Sequence, residues 1–316
     1  MKFLASLSST LFAAVLMAAP AFAQQGKATE TLRIGYQKYG TLTLLKARGD
    51  LDKRLAAQGI AVQWTEFPAG PQLLEGLNVG AIDFGTVGEA PPIFAQAAGA
   101  DLVYVANQPS APAAEAIVVP QGSPITSVAD LKGRKVALNK GSNVHYLLVR
   151  ALQQAGVKYA DVQTVFLPPA DARAAFERGA VDAWVIWDPF LAAAEKQLGA
   201  RVLADGKGLV SNHQFYLASR GYALKKPEVV RAIVDELARL DRWAEKSPKE
   251  VAQLLAPQIG LDVAVAEISA QRFAYGIQPI SAPVAAEQQK IADAFAELKL
   301  IPKPIRIADA LPGAAK

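Results

Sequence analysis

Gly141-Ser142-Asn143 is the run in this chain best suited to meeting a small anion. It precedes an apolar stretch with helical spacing. Glycine lets a ligand come close to the backbone, and the first N–H groups of a helix have no partner inside it. Such an end attracts negative charge. Ser142 adds a hydroxyl, and it reads equally as an N-cap serving its own helix. Gly70-Pro71-Gln72 has the same character. Pro71 suits the first helical position. Gln72 either donates to an oxygen anion or faces water. Two further loops follow strand-like runs, one after Gln37 and one at Thr86-Val87-Gly88-Glu89.

Four other side chains stand out. Arg173 falls in the first turn of an alanine-rich helical stretch, where the helix dipole disfavours a cation. It reads as a guanidinium that clamps an anion, or as a solvated surface residue. Trp187 ends an apolar strand and either walls a cleft or packs in the core. Asp188 and Glu89 each read as helix caps or as polar contacts, and His145 as an anion donor or a structural histidine. None of this adds up to a catalytic constellation. The chain lacks a Gly-x-Ser-x-Gly elbow, a P-loop and a His-Glu-x-x-His pair. With no cysteine and two histidines, neither a thiolate nucleophile nor a metal site is expected, and no cofactor. Thirty-three Lys and Arg stand against twenty-nine Asp and Glu, with no basic block, so nucleic acid is not an expected partner.

These loops need a scaffold, and the pattern supplies one. Short Val/Ile-rich runs alternate with alanine-rich helical stretches, which predicts an α/β fold. Strands are expected at 32–37, 62–67, 82–87, 102–107, 115–119, 135–139, 162–167, 183–187, 202–203 and 215–219. Helices are expected between them and from Pro227 onward, including one over 43–57. Phe67-Pro-Ala-Gly-Pro-Gln72 leads through a helix to Gly80-Ala-Ile-Asp-Phe84. About a hundred residues on, Leu167-Pro-Pro-Ala-Asp-Ala172 leads to Gly179-Ala-Val-Asp-Ala183. This echo predicts two similar α/β lobes facing a cleft, with ligand loops beyond the carboxyl ends of the strands. At the N-terminus, Lys2, an apolar run from Leu11 to Ala19, Pro20 and Ala21-Phe22-Ala23 have the layout of a secretory signal cleaved after Ala23. That run is too short to span a bilayer.

Several motifs carry a family resemblance. They are Leu32-Arg-Ile-Gly-Tyr-Gln-Lys38, Glu66-Phe-Pro-Ala-Gly-Pro-Gln72, Pro169-Ala-Asp-Ala-Arg-Ala-Ala-Phe176 and Val181-Asp-Ala-Trp-Val-Ile-Trp-Asp-Pro189. Together with the run Pro91–Tyr104, they resemble the aliphatic sulfonate-binding proteins of ABC importers across nearly the whole chain. The resemblance implies a two-lobed periplasmic-binding-protein fold of type II. Lobe 1 would hold 24–118 and 221–316, lobe 2 would hold 119–220, and hinge strands would lie near Glu115–Pro120 and Gln214–Arg220. It implies a monomeric periplasmic protein, not an enzyme, that captures a small organic sulfonate and docks on a membrane permease with its ATPase. The ligand loops it carries over are those at Gln37, Gly70–Gln72, Thr86–Glu89, Ser142, Arg173 and Trp187. Taurine, a sulfate ester or another small anion remains an alternative ligand, and a thiamine-precursor-type enzyme an alternative on the same fold. The run Gly208–Gln214 departs from the family pattern.

Overall fold

The computed structural model describes residues 30–314, so the expected signal segment lies outside the described residues. The first part of the chain runs β1 (Glu30–Tyr36), α1 (Gly40–Arg48), α2 (Asp50–Ala56), β2 (Ile60–Glu66), α3 (Gly70–Asn78), β3 (Phe84–Gly88), α4 (Pro91–Ala97) and β4 (Leu102–Asn107). A second set follows: β5 (Glu115–Val119), β6 (Lys135–Leu138), α5 (Asn143–Gln154), β7 (Gln163–Phe166), α6 (Pro169–Glu177), β8 (Ala183–Trp187), α7 (Phe190–Leu198) and β9 (Arg201–Asp205). The chain then returns through β10 (Gln214–Ser219) to α8 (Arg220–Lys225), α9 (Pro227–Ala244), α10 (Pro248–Ile259), α11 (Val263–Arg272) and α12 (Ala282–Glu297).

Two five-stranded sheets result, ordered β2-β1-β3-β10-β4 and β7-β6-β8-β5-β9. The orders are equivalent. Each has three parallel strands, then one antiparallel strand, then an edge strand. The echo in the sequence corresponds to this repeat down to single hydrogen bonds. Asp83 takes the Arg33 amide on its carboxylate at 2.9 Å and donates its own amide to the Arg33 carbonyl at 2.8 Å. Asp182 does the same with Lys135, both bonds at 2.8 Å. In each lobe the aspartate of the Gly-Ala-x-Asp run therefore closes the gap between the first and third strands. One apolar cluster packs around the second sheet. Two others pack on the first, one beneath α1, α9 and α10 and one beneath α3, α4 and α12.

Two expectations need correction. The single helix over 43–57 is two helices, because Gly49 adopts φ 67 and ends α1 in a left-handed cap. The lobe boundaries move as well. β5 hydrogen-bonds on both edges to β8 and β9, and β10 on both edges to β3 and β4. Both are interior strands of their sheets. The segments that cross between the sheets are residues 108–114 and 206–213. β10 therefore belongs with the first sheet, not the second.

Candidate ligand-binding site

A narrow cavity lies where the two sheets face each other. Tyr39, Gly70 and Asn143 on its wall sit at the starts of α1, α3 and α5. No side chain caps any of the three helices. Their leading N–H groups are therefore left for whatever occupies the cavity. Trp187 and Asp188 close the wall from the end of β8, Gly88 from the end of β3, and Ala114, Asn212 and Gln214 from the crossing segments and the start of β10.

The polar side chains on this wall hold each other in place. Gln37 Nε2 donates to the Thr86 carbonyl at 3.0 Å. Tyr39 Oη donates to Gln214 Oε1 at 2.7 Å. Asn143 Nδ2 donates to Asn212 Oδ1 at 3.1 Å and to the Glu115 carboxylate. Asn212, at φ 50, donates to the Ala111 carbonyl at 2.9 Å. Shape is as tightly set. A Cβ on Gly70 would lie 2.7 Å from Pro91, and one on Gly88 would lie 2.9 Å from Asn143. Glycine is what lets the start of α3 and the end of β3 approach their neighbours so closely.

Residues 55–251 match the family described as NMT1/THI5 like. The chain is 50% identical over 280 residues to an Escherichia coli (strain K12) protein named as aliphatic sulfonates-binding, covering 88% of this chain and 87% of that one. This chain belongs to the aliphatic sulfonate-binding protein family. The solved alkanesulfonate-binding protein of Xanthomonas axonopodis pv. citri, bound to MOPS, superposes with a TM-score of 0.85 at 44% identity, covering 89% of this chain and 97% of that one. The periplasmic aliphatic sulphonate binding protein of Escherichia coli gives 0.80 at 48%, covering 90% and 93%. The fold is thus that of a periplasmic binding protein, as the motifs implied.

In this member of the family, the cavity wall has no Lys or Arg among the described residues, and Asp188 is its charged side chain. Asp188 Oδ1 accepts the Ala192 amide at 2.9 Å, capping the first turn of α7. Its Oδ2 lies 3.6 Å from the Arg272 guanidinium. Burial raises the Asp188 carboxyl to about 7, against the pull of Arg272.

Six of the expected site residues line the cavity: Gln37, Gly70, Gly88, Asn143, Trp187 and Asp188. The others sit elsewhere. Pro71 and Gln72 face a neighbouring groove with Phe94 and Lys140. Thr86 is buried behind Gln37, with its hydroxyl donating to the Phe215 carbonyl at 3.2 Å. Glu89 is fully buried and takes the His213 amide at 3.1 Å. His145 packs between rings, its Nδ1 accepting the Gly141 amide at 3.2 Å and its Nε2 2.7 Å from Tyr159 Oη. Burial lowers it to about 4, so it stays neutral. Ser142 Oγ donates to the Asn139 carbonyl at 2.7 Å. Arg173 Nε donates to Glu177 Oε1 at 2.7 Å, one turn along α6. This i,i+4 pair offsets the dipole at the helix start. Tyr39, Pro91, Ala114, Asn212 and Gln214 were not anticipated. Asn212 lies in the run that departs from the family pattern, and that departure was the signal available for it.

These placements separate two substitutions. Ser142→Ala should cost about 1 kcal/mol of stability, the value of one hydrogen bond, and leave affinity within about threefold. Arg173→Gln should cost only a few tenths of a kcal/mol and leave affinity unchanged. Urea unfolding and calorimetry on each variant check both expectations. A tenfold loss of affinity in either would place that side chain in contact with ligand.

Proposed function

We propose that this protein captures a small organic sulfonate in the cleft between its lobes and delivers it to the permease of an ABC importer, without covalent chemistry. The observation that carries this reading is the convergence of three uncapped helix starts on a cavity with no basic side chain. A sulfonate is permanently anionic at neutral pH and presents three acceptor oxygens. Backbone N–H groups and partial helix charges meet it without burying a full countercharge. A buried multi-arginine site would carry a larger desolvation cost. The names of the relatives support the ligand class and a periplasmic location. On this reading the protein works as a monomer, after removal of residues 1–23.

Asp188 favours a second ligand within the same class. A carboxyl on the cavity wall suits a sulfonate whose tail carries an ammonium or hydroxyl donor, such as taurine. Thermal melting tests the class. A ligand held at a hundred times its Kd stabilises the folded form by about 2.7 kcal/mol. Sulfonates from two to eight carbons should raise Tm, and nitrate, a pyrimidine and neutral amino acids should not. The reverse pattern would reject the proposal.

A further inference from the structure

Behind the cavity wall lie two carboxyl groups that ligand capture does not use. Glu89 follows β3 in the first lobe, and Glu115 begins β5 in the second. Both are fully buried. Among the described residues neither forms an ion pair with a Lys, Arg or His, and Oε1 of each has no hydrogen-bond partner. They are joined through the cavity wall. Glu89 accepts the His213 amide at 3.1 Å and is also bonded by the Asn212 amide. Glu115 accepts Asn143 Nδ2, which donates as well to Asn212 Oδ1 at 3.1 Å.

The other charged groups around them give no relief. Glu287 on α12 repels Glu89. His213 turns away, with Nδ1 2.9 Å from the Gln108 carbonyl and Nε2 3.4 Å from Glu287. Tyr146 on α5 feels the charges of Glu89 and Arg150. Asp188 follows Trp187, the strand partner of Glu115, and its cation is Arg272. Two neighbouring carboxylates buried without a countercharge cannot both stay ionised.

We propose that Glu89 and Glu115, buried on opposite sides of the cleft without a countercharge, take up a proton when the lobes close, fixing Asn143 against the ligand and linking lobe closure to proton uptake. In the closed protein burial raises both groups, Glu89 to about 8 and Glu115 further by the nearby Glu89 charge. When the lobes part, water reaches the pair and both return toward the ordinary carboxylate value of 4.5. The closed state thus carries the raised value. Its advantage is complete below about 4.5 and is lost as pH rises through about 8. Affinity for a sulfonate, whose own charge does not titrate, therefore falls with rising pH, by at most tenfold per unit for one proton.

This inference rests on the sulfonate reading, and the experiment separates the two. Calorimetry with ethanesulfonate from pH 6 to 8.5 is run in phosphate and in Tris, avoiding sulfonate buffers. We expect uptake of a fraction of a proton at neutral pH and Kd at least tenfold weaker at pH 8.5 than at pH 6. Glu89→Gln and Glu115→Gln keep the hydrogen-bonding shape and should each flatten the profile. Asp188 is intact in both variants, so any slope that remains belongs to it. Constant Kd with no proton uptake in the wild type overturns the proposal, even if one variant fails to fold. If no sulfonate binds at any pH, the ligand class is wrong and the pair is read from stability alone. Melting temperature should then fall from pH 6 to 8.5 in the wild type and fall less steeply in Glu89→Gln, and equal slopes would overturn the proposed proton uptake.

Discussion

Gly88→Val should leave both lobes folded and weaken ligand binding by about a hundredfold, some 2.8 kcal/mol. Gly88 ends β3 on one side of the cleft, and Asn143 begins α5 on the other. A Cβ at Gly88 would stand 2.9 Å from Asn143 Cβ and Cγ and 3.0 Å from its Oδ1. Asn143 cannot swing aside without loss, because its amide is held by Glu115 and Asn212. Strain of this size in a packed contact costs about 1–3 kcal/mol. It is relieved when the lobes separate, so it falls on the closed, liganded state. Calorimetry should show the affinity loss, and urea unfolding of the free protein a change below about 1 kcal/mol. Undiminished affinity would mean that the lobes do not need to meet at Gly88 for ligand to bind.

Trp187→Ala should have the largest effect on stability, about 3–5 kcal/mol. The side chain is 6% exposed, belongs to the core cluster of the second sheet, and meets Phe190 edge-on at 6.2 Å. It also forms part of the cavity wall. Both readings of its sequence position, core and cleft wall, describe the same ring. Chemical denaturation measures the loss. A change below about 1 kcal/mol would show that the ring contributes little packing.

What the sequence made legible is what depends on local order. The short Val/Ile-rich runs located all ten strands, and the strand expected at Glu115–Val119 has those limits. The Gly-Ala-x-Asp echo revealed the repeated lobe because each aspartate acts on a strand about fifty residues away in the same register. Gly70 and Asn143 were found because a helix start facing a strand end is a local pattern. The rest depends on convergence in space. Tyr39 and Gln214 are 175 residues apart and meet at 2.7 Å. Asn212 reaches the cavity only because the crossing segment bends there at φ 50. Arg173 looked unusual against the helix dipole alone, yet its partner Glu177 was one turn away in the same sequence. His145 and Ser142 sit on the right helix but are turned inward, which spacing does not determine.

Ligand capture at the helix starts is tested most directly by titrating the protein, unfolded and refolded to strip any carried ligand, with ethanesulfonate in a calorimeter at pH 6 in phosphate. The account predicts saturable binding at one site per chain, weakened about a hundredfold by Gly88→Val and unchanged by Arg173→Gln. Absence of heat with every sulfonate from two to eight carbons, alongside saturable binding of a pyrimidine or an amino acid, would contradict it.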